Sequence, residues 1–237
     1  MKDKLVSVTL GIRHRRTFGI PEISGRVIDN IINDKDSPFR NKGSWGGVST
    51  APIFDGAEQK GRILFSEDGS NSLTLDTDSV ILALKANNVE VAFKKIKETY
   101  IPYLEKNVFK KFGIEYISRI GIVFLFTEED ATKANALLNK FTHGVFTAPD
   151  TLSLRFSEKD TALDSITKKD ILDYTNSIVT LQREKGGELI SKFDFQFYYA
   201  PEITDIADVD IDMFLTIAQQ KVKENFFEWF SEEENGA

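Results

Sequence analysis

The sequence predicts an α+β fold: a mainly antiparallel sheet with two long and two short helices. Two observations carry this. Short runs with period-2 hydrophobicity follow one another across turn residues instead of across helices, which favours antiparallel pairing. The order strand, helix, three strands, long helix also occurs twice, so the chain reads as two similar halves, 1–112 and 113–237, packed as one compact unit.

Each element has its own signal. In LVSVTLGI, Leu5 stands beside the alternating series Val6, Val8, Leu10 and Ile12, the pattern of a half-buried strand. PEISGRVIDNIIND places Ile23, Val27, Ile28, Ile31 and Ile32 on one helical face, with Gly25 weakening the opening turn. Residues 40–61 hold five glycines and one proline without a clear period and read as a loop or partly ordered insertion. RILFSE, SLTLDT and SVILALK follow as a meander, with Asp68-Gly69 as a hairpin signal. Val89, Phe93, Ile96, Tyr100, Tyr103, Leu104 and Val108 then define a long amphipathic helix, which Pro102 is expected to kink or interrupt.

In the second half, GIEYISRIGIVFLF carries apolar residues on both parities and predicts a central strand buried on both faces. EEDATKANALLNKF is a helix with Thr127 as the expected N-cap. LSLRFSE, SIVTLQRE and KFDFQFYY are strands, the last alternating Phe193, Phe195, Phe197 and Tyr199 with polar residues, and DIDMFLTIAQQKVKENFFEWF is a long helix. The tripeptide FSE occurs at 65–67 and again at 156–158, each time in the strand after the shorter helix. Phe65 and Phe156 share parity with Ile63 and Leu154, expected in the core, so the echo marks duplicated architecture and not a repeated site. Such an arrangement places a cleft between the repeats.

The segment Gly113-Ile114-Glu115-Tyr116-Ile117-Ser118-Arg119-Ile120 resembles the G-L-R-Y-I-N-R-I segment of a sporadically distributed family of uncharacterised prokaryotic proteins, with Glu115 in place of a basic residue and Ser118 in place of asparagine. There too the segment follows a long helix and a hairpin-rich stretch. The resemblance implies a shared fold and a prokaryotic origin; no activity comes with it.

Composition limits the chemistry. The 37 Asp and Glu against 30 Lys and Arg give a formal charge of −7, which repels nucleic acid at long range. The absence of cysteine excludes disulfides, thiolate metal sites and a cysteine nucleophile. MKDKLVSVTLGIRHRR reads as a first strand and not as a signal peptide, and the apolar run IGIVFLF is too short to span a bilayer, which takes about 20 residues. A cytoplasmic protein without membrane contact is expected.

The densest basic cluster is Arg13-His14-Arg15-Arg16, suited to a phosphate or carboxylate ligand or to keeping a strand end soluble. His14 shares parity with the apolar residues of its strand and reads equally as a residue of the sheet margin. His143, before Gly144, reads as part of a helix C-cap. Asp29, Asp34 and Asp36, and Asp205, Asp208, Asp210 and Asp212, offer carboxylates for magnesium, but helix capping explains them as well. Trp45, in the glycine-rich GSWGG, is a recognition element or a core plug; Trp229, with Phe226, Phe227 and Phe230, is a contact surface or a frayed end. No metal or cofactor is expected.

The expectation is therefore a non-enzymatic binding protein with a protein partner, in a prokaryotic accessory or defence-type system. Two alternatives stand beside it. One is a magnesium-dependent, phosphate-directed hydrolase or nuclease using Arg13, Arg15 or Arg16; the other binds a nucleotide or small anion between the repeats.

Overall fold

A computed structural model describes residues 5–40, 45–143, 145, 151–160, 174–183, 188–198 and 204–227. The elements run β1 (Leu5–His14), α1 (Gly19–Asn33), β2 (Val48–Asp55), β3 (Glu58–Ser66), β4 (Ser72–Asp76), β5 (Ser79–Lys85), α2 (89–112), β6 (Tyr116–Glu128), α3 (Ala131–Thr142), β7 (Leu152–Asp160), β8 (Tyr174–Arg183), β9 (Leu189–Tyr198), β10 (Thr204–Asp205) and α4 (211–227). All strand pairs are antiparallel. The sheet order is β2-β3-β4-β5-β1-β6-β9-β8-β7, and β10 pairs with β6.

The two halves share a pattern outward from the centre, apart from the extra edge strand β2 of the first. In each, the last strand of a meander returns to pair with the first strand, β5 on β1 and β9 on β6, and the two first strands pair with each other at the centre. Gly11 lies directly opposite Gly121 at that junction.

Period 2 assigns one side of the sheet to the helices. Leu64, Leu73, Leu82, Leu10, Ile122 and Phe195 form one continuous row across six strands, each at most 2% exposed. The four helices named above pack on this side. α2 meets it through Phe93 against Phe124, ring centres 5.4 Å apart, and α4 through Phe214 stacked on Phe195 at 5.6 Å. α3 meets it through Phe141 against Phe156, and α1 lies over β3 and β4. The opposite side carries alternate residues of every strand, and no described helix covers it.

Several expectations change. Residues 48–55, read as loop, form an edge strand: with both sides largely exposed it has no hydrophobic period to show, and Pro52 is tolerated because an edge needs no N–H. The helix at 89–112 stays helical through Pro102, with its α pattern interrupted just before the proline. A π turn over Ile96–Tyr100 comes first, and the Ile101 N–H donates five residues back to the Ile96 carbonyl, so the wider turn accommodates the proline ring. Gly113, at φ 62°, ends this helix.

β6 is central, but only its helix side is fully buried; Val123 and Leu125 on the other side are half-buried. It also runs to Glu128, so Thr127 pairs with Ile190 and Asp130 caps α3, its carboxylate accepting from the Thr132 and Lys133 N–H groups at 2.9 and 3.2 Å.

The FSE echo falls in corresponding strands, β3 and β7, but on opposite sides. Phe65 pairs with Ser72 and faces away from the helices, whereas Phe156 pairs with Val179 and faces α3. A one-residue offset in a strand inverts every side chain. Ser66 points inward and fixes a turn by donating to Asp68 at 2.6 Å, while Ser157 is exposed.

Candidate functional site on the side of the sheet away from the helices

Register alone builds this surface. At one end of the central strands, Asp76, Ser79, Arg13, Arg119, Tyr198 and Tyr174 stand in one row across six strands. The next row is Ile63, Thr74, Ile81, Gly11, Gly121, Gln196, Asn176 and Lys159. The third contains Ala83, Thr9, Val123, Asp194 and Ile178.

The first row is held by stacking. The guanidinium of Arg119 lies 5.5 Å from the ring centre of Tyr198 and donates to its hydroxyl at 3.2 Å. Tyr198 stacks on Tyr174 at 4.9 Å and 10°, and the ammonium of Lys159 sits 3.7 Å from the Tyr174 ring. Two cations thus bracket two parallel rings, a geometry each ring's negative face favours. The Tyr198 hydroxyl in turn donates to Gln196 Oε1, and Gln196 Nε2 donates to Asp194 Oδ2 at 2.8 Å, with Lys192 Nζ 3.9 Å from the same oxygen. Asp194 is 9% exposed, and its Oδ1 is buried without a partner.

Arg13 is directly opposite Arg119. Like charges facing each other across strands are destabilising. Among the described residues neither has a carboxylate partner: Arg119 engages only Tyr198, and the exposed Arg13 side chain has no hydrogen bond or ion pair. In a chain with seven surplus acids, two arginines at opposed positions without carboxylate partners among the described residues are a local concentration of positive charge suited to an anion.

The basic cluster read from the sequence therefore divides. Arg13 joins this surface. His14 turns to the helix side, 4% exposed, with Nδ1 2.8 Å from the Arg15 carbonyl and Nε2 buried without a partner. Burial pushes its imidazole below its ordinary range, against the opposing pull of the Arg15 carbonyl, Asp78 and Asp76. Arg15 is exposed beyond the strand, and Arg16 lies 5.2 Å from the Phe18 ring, away from Arg119's row.

Trp45 is fully buried. Its indole N–H donates to the Tyr100 hydroxyl at 2.8 Å and its ring meets Phe39 edge-on at 4.9 Å, so it joins α2 to the chain before β2 and offers no contact surface. Trp229, Phe230 and Gly144 lie outside the described residues, as do the side chains of Phe226 and Phe227. His143 itself adopts the left-handed conformation, φ 50°, at the end of α3.

The acidic groups have local roles. Asp34 accepts from the Asp36 N–H and the Tyr103 hydroxyl, bonds that lower its pKa; Asp205 and Asp210 cap the turns that follow them; Asp212 pairs with Lys97 at 3.5 Å. Among the described residues no three metal-ligating side chains come together.

The sequence reading missed Arg119, Tyr198, Tyr174, Gln196 and the Gly11–Gly121 pair. One signal was available: Arg119 is a charge inside the apolar run of a central strand.

No family model and no curated protein matches the chain. A solved structure, the di-domain aromatase/cyclase StfQ from the steffimycin biosynthetic pathway, aligns with 94% of this chain and 94% of its own at 9% identity. Its TM-score of 0.19 gives it no weight for fold or function. Among the described residues no helix is long and apolar enough to cross a membrane.

Proposed function

We propose that this is a non-enzymatic binding protein that takes a small anionic ligand, of the phosphate or carboxylate type, on the side of its sheet away from the described helices, where the two central strands meet. The observation that carries this reading is the Arg13–Arg119 pair, two arginines directly opposite each other in the register, neither with a carboxylate partner among the described residues. The stacked Tyr198 and Tyr174 orient Arg119, so one donor fork is in place before a ligand arrives, which reduces the ordering cost of binding.

The protein-partner expectation loses the support of Trp45, and the magnesium-dependent alternative lacks a carboxylate cluster among the described residues. We also infer that the halves arose by duplication, a reading supported by the strand pattern they share outward from the centre and by the meeting of Gly11 and Gly121 at the junction.

Thermal unfolding with phosphate, pyrophosphate, di- and tricarboxylates and nucleotides at millimolar concentration tests the anion site. At least one should raise the melting temperature of the wild type and leave the Arg119→Gln protein unmoved. A wild type unmoved by every anion would overturn it.

A further inference from the structure

The two glycines are unexplained by the fold. A Cβ on Gly11 would meet nothing within 4 Å, and one on Gly121 would make only ordinary contact with Gln196 Cγ at 3.4 Å. Neither has the left-handed backbone that requires glycine. Gly61 is the contrast: a Cβ there would lie 1.9 Å from the Leu75 carbonyl oxygen, so the β3–β4 pairing itself excludes a side chain. Glycine in the middle of a strand weakens it and often marks a bulge, a bend, or a close approach by a ligand or another backbone; the register runs without a shift through Gly11 and Gly121, so no bulge accounts for them.

At the centre of the sheet the pair leaves a floor of bare backbone. Its walls are named by the register: Ile81 and Gln196 in the same row, Arg13 and Arg119 in the row on one side, Thr9 and Val123 in the row on the other. Three strand spacings separate Ile81 from Gln196, about 14 Å, and rows two residues apart are separated by roughly 7 Å. A flat ring fits that floor with its attached anion reaching the arginine row.

The polar side chains of the walls suit the ring's edge. Gln196 is anchored between Tyr198 and Asp194, and the unpartnered Asp194 Oδ1, nine-tenths buried on the same side of the sheet, lacks a hydrogen-bond donor. Guanidinium planes also stack on heterocycles. Resting on the anion site proposed above, we infer that the ligand is a mononucleotide: its base lies over Gly11 and Gly121 with an N–H edge toward Gln196 and Asp194, and its phosphate lies between Arg13 and Arg119. The net charge of −7 opposes a polynucleotide.

Titration calorimetry with the four nucleoside 5′-monophosphates, pyrophosphate and a single-stranded DNA hexamer tests this on the wild type, Gly11→Val, Gly11→Ala and Arg119→Gln proteins. The expected result is one nucleotide bound at least tenfold more tightly than pyrophosphate. Gly11→Val should lose that preference and keep the pyrophosphate affinity, Gly11→Ala should lose part of it, and Arg119→Gln should lose both ligands. Because no atom obstructs a side chain at Gly11, both glycine variants should melt no lower than the wild type; should the valine protein fail to fold, the alanine variant decides. Equal affinity for pyrophosphate and every nucleotide, or undiminished nucleotide binding by the glycine variants, would remove the ring site while leaving the anion site standing. Loss of all anion binding would remove both, and a hexamer bound more tightly than any mononucleotide would overturn the mononucleotide assignment.

Discussion

Arg13 and Arg119 occupy directly opposed positions on the two central strands, and no carboxylate of the described residues neutralises either. Opposed like charges cost about 0.2–1 kcal/mol. Arg13→Gln should therefore stabilise the ligand-free protein by a few tenths of a kcal/mol, as urea denaturation at low salt would show, with the gain shrinking as salt screens the pair. A loss of stability would mean that the pair is already compensated.

Gly11 and Gly61 make opposite predictions from the same substitution. Gly11→Ala should be neutral or stabilising by up to about 1 kcal/mol, since glycine in a strand costs backbone entropy. Gly61→Ala drives a Cβ into the Leu75 carbonyl and should destabilise by about 1–3 kcal/mol or more. Chemical denaturation of the two proteins checks the sign of each.

Trp45 anchors the chain before β2 to α2 through Tyr100 and Phe39. Trp45→Ala should cost about 3–5 kcal/mol as a large core truncation. Trp45→Phe keeps most of the packing and removes the donor to Tyr100, so it should cost less, about 1–3 kcal/mol. Equal costs would show that the hydrogen bond to Tyr100 accounts for the whole effect and the ring's packing for none of it.

His14 makes stability depend on pH. Its folded pKa lies below the unfolded value near 6.5, because burial disfavours the cation. The unfolded chain therefore binds a proton first as pH falls. The destabilisation is absent well above pH 6.5, begins as pH drops through that value, and levels off below the folded pKa. Denaturation midpoints measured from pH 8 to pH 5 should show this fall, and His14→Gln should flatten it.

Asn88 caps α2, its side chain accepting from the Val91 N–H at 3.0 Å. Asn88→Ala should cost about 1 kcal/mol, read by denaturation, whereas Asn88→Asp should retain the cap.

The sequence by itself determined the α+β class, nearly every strand and the helices, because alternation and helical periodicity are local patterns written residue by residue. It did not reveal β2, whose exposed edge position leaves no alternation, nor the unbroken course of α2 through Pro102, which depends on a π turn. It left Trp45 with two roles, and only packing against Phe39 and Tyr100 decided between them. The candidate site belongs wholly to tertiary structure. Arg13 and Arg119 are separated by more than a hundred residues in the chain, as are Gly11 and Gly121. They become neighbours only because the first strands of the two halves pair antiparallel at the centre of the sheet, in a register that hydrophobic burial on the helix side fixes for both sides at once.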